Sequence, residues 1–169
     1  EPSWSPDGEF LAFVSDRGSS LESGDDFKMW NHDYRQTDIY TLEIETGKIS
    51  RITDTPHQED FPVWSHTSNS LAYTSDKLGV WNLYMRDMDS GESRAVSNVL
   101  TGVFQLSWSR DDQELIFSGY SHVGWDIYSV SNPLDLPARD VSPSNFVLTG
   151  DDDEAEEPVD AAVEEPVMP

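Results

Sequence analysis

The sequence predicts an all-β chain, a partial β-propeller of three four-stranded antiparallel blades. Tyr40, Tyr84 and Tyr128 are spaced 44 residues apart, and each closes a similar tetrapeptide (TDIY, WNLY and WDIY). The same interval separates Trp64 from Trp108. A repeat of about 40 to 45 residues has the length of one propeller blade. Short segments rich in Val, Ile, Phe, Tyr and Trp, without helical periodicity, favour strands over helices.

The first repeat contains each expected element. A first strand ends at Trp4, and the Ser-Pro-Asp-Gly turn at residues 5–8 precedes an apolar run at 10–14. Proline presets φ at the second turn position and glycine tolerates a positive φ, so this segment predicts a tight hairpin. Trp4 and Trp64 are 60 residues apart instead of 44, and the extra residues fall in 19–36. The first blade therefore carries a loop insertion there.

The remaining strands follow the same order in each repeat. Third strands are expected at 38–44, 82–88 and 126–130, and fourth strands at 48–53 and 92–97. The fourth strand of the last unit is doubtful because Pro133 and Pro137 interrupt it and cannot donate ladder hydrogen bonds. The predicted units are blade 1 at 1–53 with the insertion 19–36, blade 2 at 54–97, blade 3 at 98–142, and an acidic disordered linker or tail at 143–169.

Composition narrows the classes of partner. The formal charge is −23, and residues 151–169 hold nine acids and no base, so residues 1–150 carry −14. Phosphate backbones and anionic lipid surfaces would repel such a body, which disfavours nucleic acid partners and direct membrane insertion. The absence of cysteine excludes disulfides and Cys-ligated zinc. Three blades do not close a ring, so we expect the remaining propeller blades to belong to the same, longer chain.

Several motifs resemble one repeat family. Its blade consensus is matched by the segments PSWSPDG at 2–8, LAFVSDR at 11–17, DIY at 38–40, TG at 46–47 and RIT at 51–53. These segments resemble the TolB-type, WD-repeat-like β-propellers, and the resemblance extends over about residues 1–132. It implies a periplasmic or cell-envelope location. The same repeat occurs in periplasmic TolB itself and in the propellers of prolyl-oligopeptidase-like and tricorn-like peptidases, so the resemblance specifies fold more than function.

One face of the predicted propeller gathers the candidate binding residues. Turns of an antiparallel meander alternate between two faces, so the insertion and the loops at 54–60, 98–104 and 119–124 share one of them. Aromatic and polar side chains on this face suit a protein or peptide partner. The candidates are Asp25, Asp26, Trp30, His32, His57, Trp81, His122 and Trp125. The alternative is a solvated loop surface with aromatics that cap the core. No histidine pair has zinc-motif spacing, so no metal and no cofactor is expected.

The sequence contains no recognisable catalytic motif. Gly119-Tyr120-Ser121-His122-Val123 nearly matches Gly-x-Ser-x-Gly, but it ends in Val123 and joins two strands instead of a strand and a helix. We therefore predict a non-catalytic segment of a bacterial envelope protein, not an enzyme, that acts as a protein- or peptide-binding scaffold. One alternative is the substrate-gating propeller of a larger serine peptidase, whose catalytic domain lies elsewhere in the chain. A second is a carbohydrate-binding propeller that uses Trp30, Trp81 and Trp125.

Overall fold

The computed structural model describes residues 2–18, 32–121 and 124–141, which form three antiparallel sheets in chain order. Sequential strands are neighbours in every sheet, so each sheet is a meander. The predicted all-β architecture of propeller blades is confirmed, and the third sheet has three strands. The strands are β1 (Ser3–Trp4), β2 (Phe10–Ser15), β3 (Asp38–Glu43), β4 (Ile49–Arg51), β5 (Glu59–Trp64), β6 (Ser70–Ser75), β7 (Asn82–Asp87), β8 (Ser93–Ala95), β9 (Phe104–Trp108), β10 (Glu114–Ser121) and β11 (Gly124–Ser131).

The pairing register is the same in the three sheets. Trp4 pairs with Leu11, and the equivalent pairs are Trp64 with Leu71 and Trp108 with Leu115. One stacked aromatic pair bridges the second and third strands of each sheet, with ring centroids 5.9, 5.6 and 5.7 Å apart in chain order. These pairs are Phe13–Tyr40, Tyr73–Tyr84 and Phe117–Tyr128. The tyrosines that define the repeat are therefore half of a cross-strand pair that stabilises each sheet.

The sheets pack face to face through two apolar clusters. Between the first and second sheets, Ala12 and Ile39 pack against Trp64 and Leu71. Between the second and third sheets, the cluster includes Ala72, Leu83, Met85, Trp108 and Leu115. Ile127 of the third sheet is 80% exposed, whereas its repeat equivalent Leu83 packs in the second cluster and is 2% exposed. None of the described residues forms a helix long and apolar enough to span a bilayer.

The first-to-second-strand hairpins differ in how their turns are capped. In the first hairpin, the Asp7 carboxylate accepts hydrogen bonds from the Ser5 hydroxyl and the Glu9 N–H. Asp111 does the same in the third hairpin. The second hairpin has Thr67 at this position, and its cap comes from the next sheet: Asp112 accepts hydrogen bonds from the Ser65 hydroxyl and from the Thr67 N–H and hydroxyl, each at 2.7 Å. Asp112 therefore joins the second and third blades.

Residues 132–141, where the fourth strand of the last unit was doubtful, contain no strand. A short 3₁₀ turn, Pro133–Asp135, follows Asn132, which has a left-handed backbone (φ 49°). The chain then runs back to the second sheet, where the Arg139 N–H donates to the Ala95 carbonyl at 2.8 Å. Arg94 of β8 donates from its side chain to the Leu134 carbonyl at 2.8 Å. Most of the insertion 19–36 and the whole tail 143–169 lie outside the described residues, so the disorder of the tail stays a prediction.

Candidate functional site

An aromatic cluster lies on the predicted loop face, around Phe104 at the start of β9. The Phe104 ring centroid lies 5.4 Å from that of Trp125 and 6.3 Å from that of Trp81. Phe61 packs edge-on against Phe104 at 6.4 Å, and Tyr120 packs against Trp125 at 5.8 Å. We call these five residues the aromatic cluster. It brings together side chains from the second and third sheets.

Irregular backbone in the first strands positions this cluster. Phe61 of β5 and Gln105 of β9 are repeat equivalents, and both have a positive φ, 52° and 55°. The β5–β6 register shifts between Asp60 and Val63, around Phe61. Positive φ is uncommon outside glycine and carries a conformational cost, and bulges redirect side chains. The same strained position is thus present in two consecutive blades beside the cluster.

Gly102 allows the Phe104 ring to fold onto the preceding linker. Its φ is 101°, and a Cβ added there would lie 2.6 Å from a ring carbon of Phe104. That distance is shorter than any ordinary carbon–carbon contact, so a larger residue would displace the ring. Glycine at this position is therefore part of how the cluster is built.

A cavity of about 390 Å³ opens beside the cluster and is lined by Phe61, Phe104, Gln105, Ser118 and Trp125. The Ser118 hydroxyl donates to the side-chain oxygen of Gln105 at 3.0 Å, and Gln105 is an exposed residue of the cavity wall. Trp125 is 63% exposed. Exposed aromatic rings beside one side-chain amide provide apolar contact with a polar anchor, a combination typical of binding sites.

The structure brings only some of the predicted binding residues together. Trp81 and Trp125 lie on either side of Phe104. His57 lies in the linker between the first two sheets, where its N–H donates to the Thr55 hydroxyl. His32 lies 3.3 Å from the Asp16 carboxylate, away from the cluster. The other candidates, Asp25, Asp26, Trp30 and His122, lie outside the described residues. Sequence reasoning missed Phe61, Phe104 and Tyr120, although all three fall in or beside loops assigned to this face.

A second cavity lies between the first and second blades, and we call it the polar cleft. Its volume is about 370 Å³, and its lining includes Thr53, Glu59, Tyr73, Ser75 and Arg86. The corresponding space between the second and third blades has about 420 Å³ and is lined by residues that include Val99, Phe117, Gly119 and Tyr128. Ser75 and Gly119 are repeat equivalents, as are Tyr84 and Tyr128. The two cavities therefore occupy the same place in consecutive interfaces and differ in chemistry.

Buried acids set the electrostatics of the polar cleft. Burial raises the pKa of Glu59, and the hydroxyls of Thr55, Thr53 and Ser75 lower it to a smaller extent. Burial, followed by the charges of Tyr73 and Glu59, raises the pKa of Tyr84 to about 12. On the neighbouring strand, burial also raises the pKa of Asp38, despite its 2.6 Å hydrogen bond from Arg51. Burial at this interface thus disfavours the ionised forms of Glu59 and Asp38.

Comparison with known proteins gives both sequence and structural relatives. No family model matches the chain. It is 34% identical over 126 residues, 73% of its length, to the uncharacterized peptidase YuxL of Bacillus subtilis, and it spans 16% of that protein. It superposes on a putative TolB from Agrobacterium tumefaciens with a TM-score of 0.63 and 16% identity, covering 78% of this chain and 44% of the other. A puromycin-hydrolyzing peptidase of Mycobacterium tuberculosis gives a TM-score of 0.54 and 21% identity over 82% of this chain and 21% of that one.

The similarity to YuxL overturns two expectations from the sequence. The predictions of a non-catalytic envelope scaffold and of a protein that is not an enzyme are wrong, because this relative is a peptidase. The reason is that the absence of catalytic motifs from a propeller segment does not exclude catalysis by residues outside that segment. The recognition of the repeat itself is confirmed by the superposition on TolB. The described residues form three consecutive blades of a TolB-like β-propeller.

Proposed function

We propose that this chain is part of the substrate-selecting propeller of a larger serine peptidase. The observation that carries the proposal is its 34% identity over 126 residues to a peptidase of which it spans 16%. On this proposal, the remaining length supplies the nucleophile, and the propeller decides which peptides reach it. Binding energy from contacts remote from the scissile bond then contributes to specificity.

The aromatic cluster is the part of the propeller that would contact the peptide. Trp125 and Phe104 offer apolar rings, and Gln105 offers an amide that can pair with a peptide backbone. An aromatic contact of this kind contributes about 1 to 3 kcal/mol to binding, including the burial of the partner side chain. The cluster would therefore discriminate among peptides by the size and polarity of one side chain.

The first experiment tests for the catalytic half of the proposal. The full-length protein is incubated with a fluorophosphonate probe, which reacts covalently with activated serine hydroxyls. We expect stoichiometric labelling and hydrolysis of peptide p-nitroanilides. A full-length protein that neither labels nor hydrolyses any peptide in a broad panel would contradict the proposal.

The second experiment tests the role of the cluster. Trp125→Ala in the full-length protein should lower kcat/KM about tenfold for peptides with a large apolar side chain, mainly through KM. The matched control is Ile44→Ala, which removes an apolar side chain that is 44% exposed in the turn after β3, in the first sheet. Equal losses in the two variants would exclude the cluster as the selecting surface.

The cellular location remains part of the proposal. A periplasmic or envelope location is expected from the TolB resemblance, and the peptidase relative does not require it. Fractionation of cells that produce the full-length protein with its own N-terminus tests this expectation. Recovery in the cytoplasmic fraction alone would contradict it.

A further inference from the structure

The polar cleft contains a buried acid whose hydrogen bonding is incomplete. Glu59 is 2% exposed, and its Oε1 accepts hydrogen bonds from the Thr55 hydroxyl at 2.7 Å and the Ser75 hydroxyl at 3.2 Å. Its Oε2 is buried and has no hydrogen-bond partner among the described residues. Leaving a carboxylate oxygen buried and unpaired costs free energy, and burial of the charge adds to that cost. A donor from a ligand would remove the cost.

Arg86 lines the same cleft, and it has a buried donor atom without an acceptor in the described ranges of the chain. The Nε of Arg86 is buried and likewise lacks an acceptor within the part of the chain that the structure describes, while its Nη1 donates to the Ser93 hydroxyl at 3.1 Å. Tyr73 also lines this cavity. Burial raises its pKa, the Ser93 side chain lowers it, the charge of Glu59 raises it further, and the charge of Arg86 lowers it. The cleft therefore has an acidic and a basic end in one cavity of about 370 Å³.

The fold does not require these charges. At the next interface, the repeat places Val103 at the position of Glu59, Gly119 at that of Ser75 and Val130 at that of Arg86. Val103 is fully buried there, and the interface packs on an apolar cluster. Both interfaces have the same strand order, but only the first contains Glu59, Ser75 and Arg86. Blade packing therefore does not need these polar residues. Blade packing does not explain why Glu59 and Arg86 are charged, whereas a role in ligand binding does.

The spacing of the charges indicates the size of the ligand. Glu59 pairs with Ser75, which pairs with Asn82, and Arg86 lies four residues further along β7. Four residues of strand correspond to about 13 Å. Glu59 and Arg86 also lie two strands apart, about 10 Å laterally, so their Cα atoms are roughly 16 Å from each other. Both side chains line one cavity, so a ligand that contacts both spans less than that distance. Two or three extended residues cover about 7 to 10 Å.

We propose that the polar cleft binds a short peptide of two or three residues with free termini, its ammonium group on Glu59 and its carboxylate on Arg86. Both unsatisfied groups then gain a charged partner, and hydrogen bonds between charged groups are stronger than neutral ones. The flanking Tyr73 and Tyr84 supply ring faces along the peptide. This site is separate from the aromatic cluster and does not depend on peptidase activity.

The test titrates the full chain with three matched probes. Binding is measured from changes in the ¹⁵N–¹H chemical shifts of the protein. The first probe is alanyl-alanine, which has both charged termini. Its N-acetyl derivative lacks the ammonium group, and its C-terminal amide lacks the carboxylate. We expect alanyl-alanine to shift resonances of the cleft in a saturable way and each blocked form to bind at least tenfold more weakly. The absence of saturable shifts with alanyl-alanine would overturn the proposal, as would equal binding of the acetylated form. Equal binding of the amide would overturn the role of Arg86.

Two variants localise the effect. Glu59→Gln keeps an acceptor for Thr55 and Ser75 and should weaken alanyl-alanine binding at least tenfold without weakening residual binding of the acetylated form. The control is Glu45→Gln, which removes the same charge from an exposed turn residue remote from the cleft. Unchanged affinity in Glu59→Gln, or the same loss in both variants, would overturn the assignment. The wild-type probe series remains decisive if the cleft variant fails to fold.

Discussion

The two blade interfaces share one backbone design but differ in what they enclose. Each is formed around a tryptophan at the end of a first strand, Trp64 in one and Trp108 in the other, and both are nearly buried. The first interface encloses Glu59 and Arg86 in a polar cleft, whereas the second has Val103 and Val130 at those positions. The difference teaches that the repeated aromatic positions maintain blade packing, while positions outside the repeat consensus are free to acquire binding chemistry.

The largest expected effect comes from the shared tryptophans. Trp64→Ala and Trp108→Ala should each lower the free energy of unfolding by about 3 to 5 kcal/mol, since they leave a large cavity at an interface. Ile44→Ala, in a turn outside both interfaces, should cost less than about 1 kcal/mol because Ile44 is 44% exposed. Urea unfolding followed by circular dichroism measures all three. Similar losses of unfolding free energy at the three positions would contradict a special contribution of the two tryptophans to the blade interfaces.

A smaller effect separates the two interfaces at Asp112, which caps a turn across the second one only. Asp112→Ala should lower the free energy of unfolding by about 2 to 3 kcal/mol, because it leaves several donors of the second hairpin unpaired. Asp111→Ala is the control, since this exposed carboxylate caps only its own turn, through Ser109 and Gln113. It should cost about 1 kcal/mol or less. The result to look for in urea unfolding is a clear difference between the two adjacent aspartates.

The same residue gives the second interface an acid-sensitive contribution. Burial raises the pKa of Asp112, but hydrogen bonds from Thr67, Ser65 and His66 outweigh it and hold the pKa at about 2. The pKa of an unfolded Asp is about 3.9, so the contribution of roughly 2 to 3 kcal/mol is present above pH 4 and disappears as the pH falls towards 2. Wild type and Asp112→Asn should therefore differ above pH 4 and converge near pH 2. A constant difference across that range would contradict this assignment.

The smallest expected effect has the opposite sign and belongs to the first interface. Burial raises the pKa of Glu59 above its unfolded value, so the ionised form disfavours the folded state at neutral pH. Glu59→Gln should raise the free energy of unfolding by on the order of 1 kcal/mol at pH 7 in the absence of ligand. The gain should shrink as the pH falls through the raised pKa, where wild-type Glu59 becomes protonated. Thermal melts at several pH values measure it, and a loss of stability at pH 7 would refute it.

The repeated frame was predictable because its signals are local. Pro6 and Gly8 encode a tight turn within four residues, and the tyrosines mark the third strands at a fixed interval. The capping role of Asp112 was not predictable, since its partner Thr67 belongs to another blade and only packing brings them together.

The candidate site was predictable only in part for a related reason. Topology assigns a loop to one face of the propeller, and this grouped Trp81 with Trp125, which both contact the Phe104 ring in the structure. It does not give the distance of a loop from the inner strands, so His57 was grouped with them although it lies in another linker. The positive φ at Phe61 and Gln105 has no sequence signature, since neither residue is glycine. The polar cleft depends on contacts between blades and is likewise invisible in a single repeat.

The return of residues 132–141 to the second sheet has a consequence for association between chains. An outermost strand presents unpaired carbonyl and N–H groups, which can template a strand from another molecule. Here the N–H of Arg139 occupies the Ala95 carbonyl, and Arg94 turns its guanidinium to the Leu134 carbonyl instead of to solvent. The segment therefore shields the rim of β8. Loss of this shield would expose a short β-strand edge and favour fibrillar, edge-to-edge aggregation of the protein.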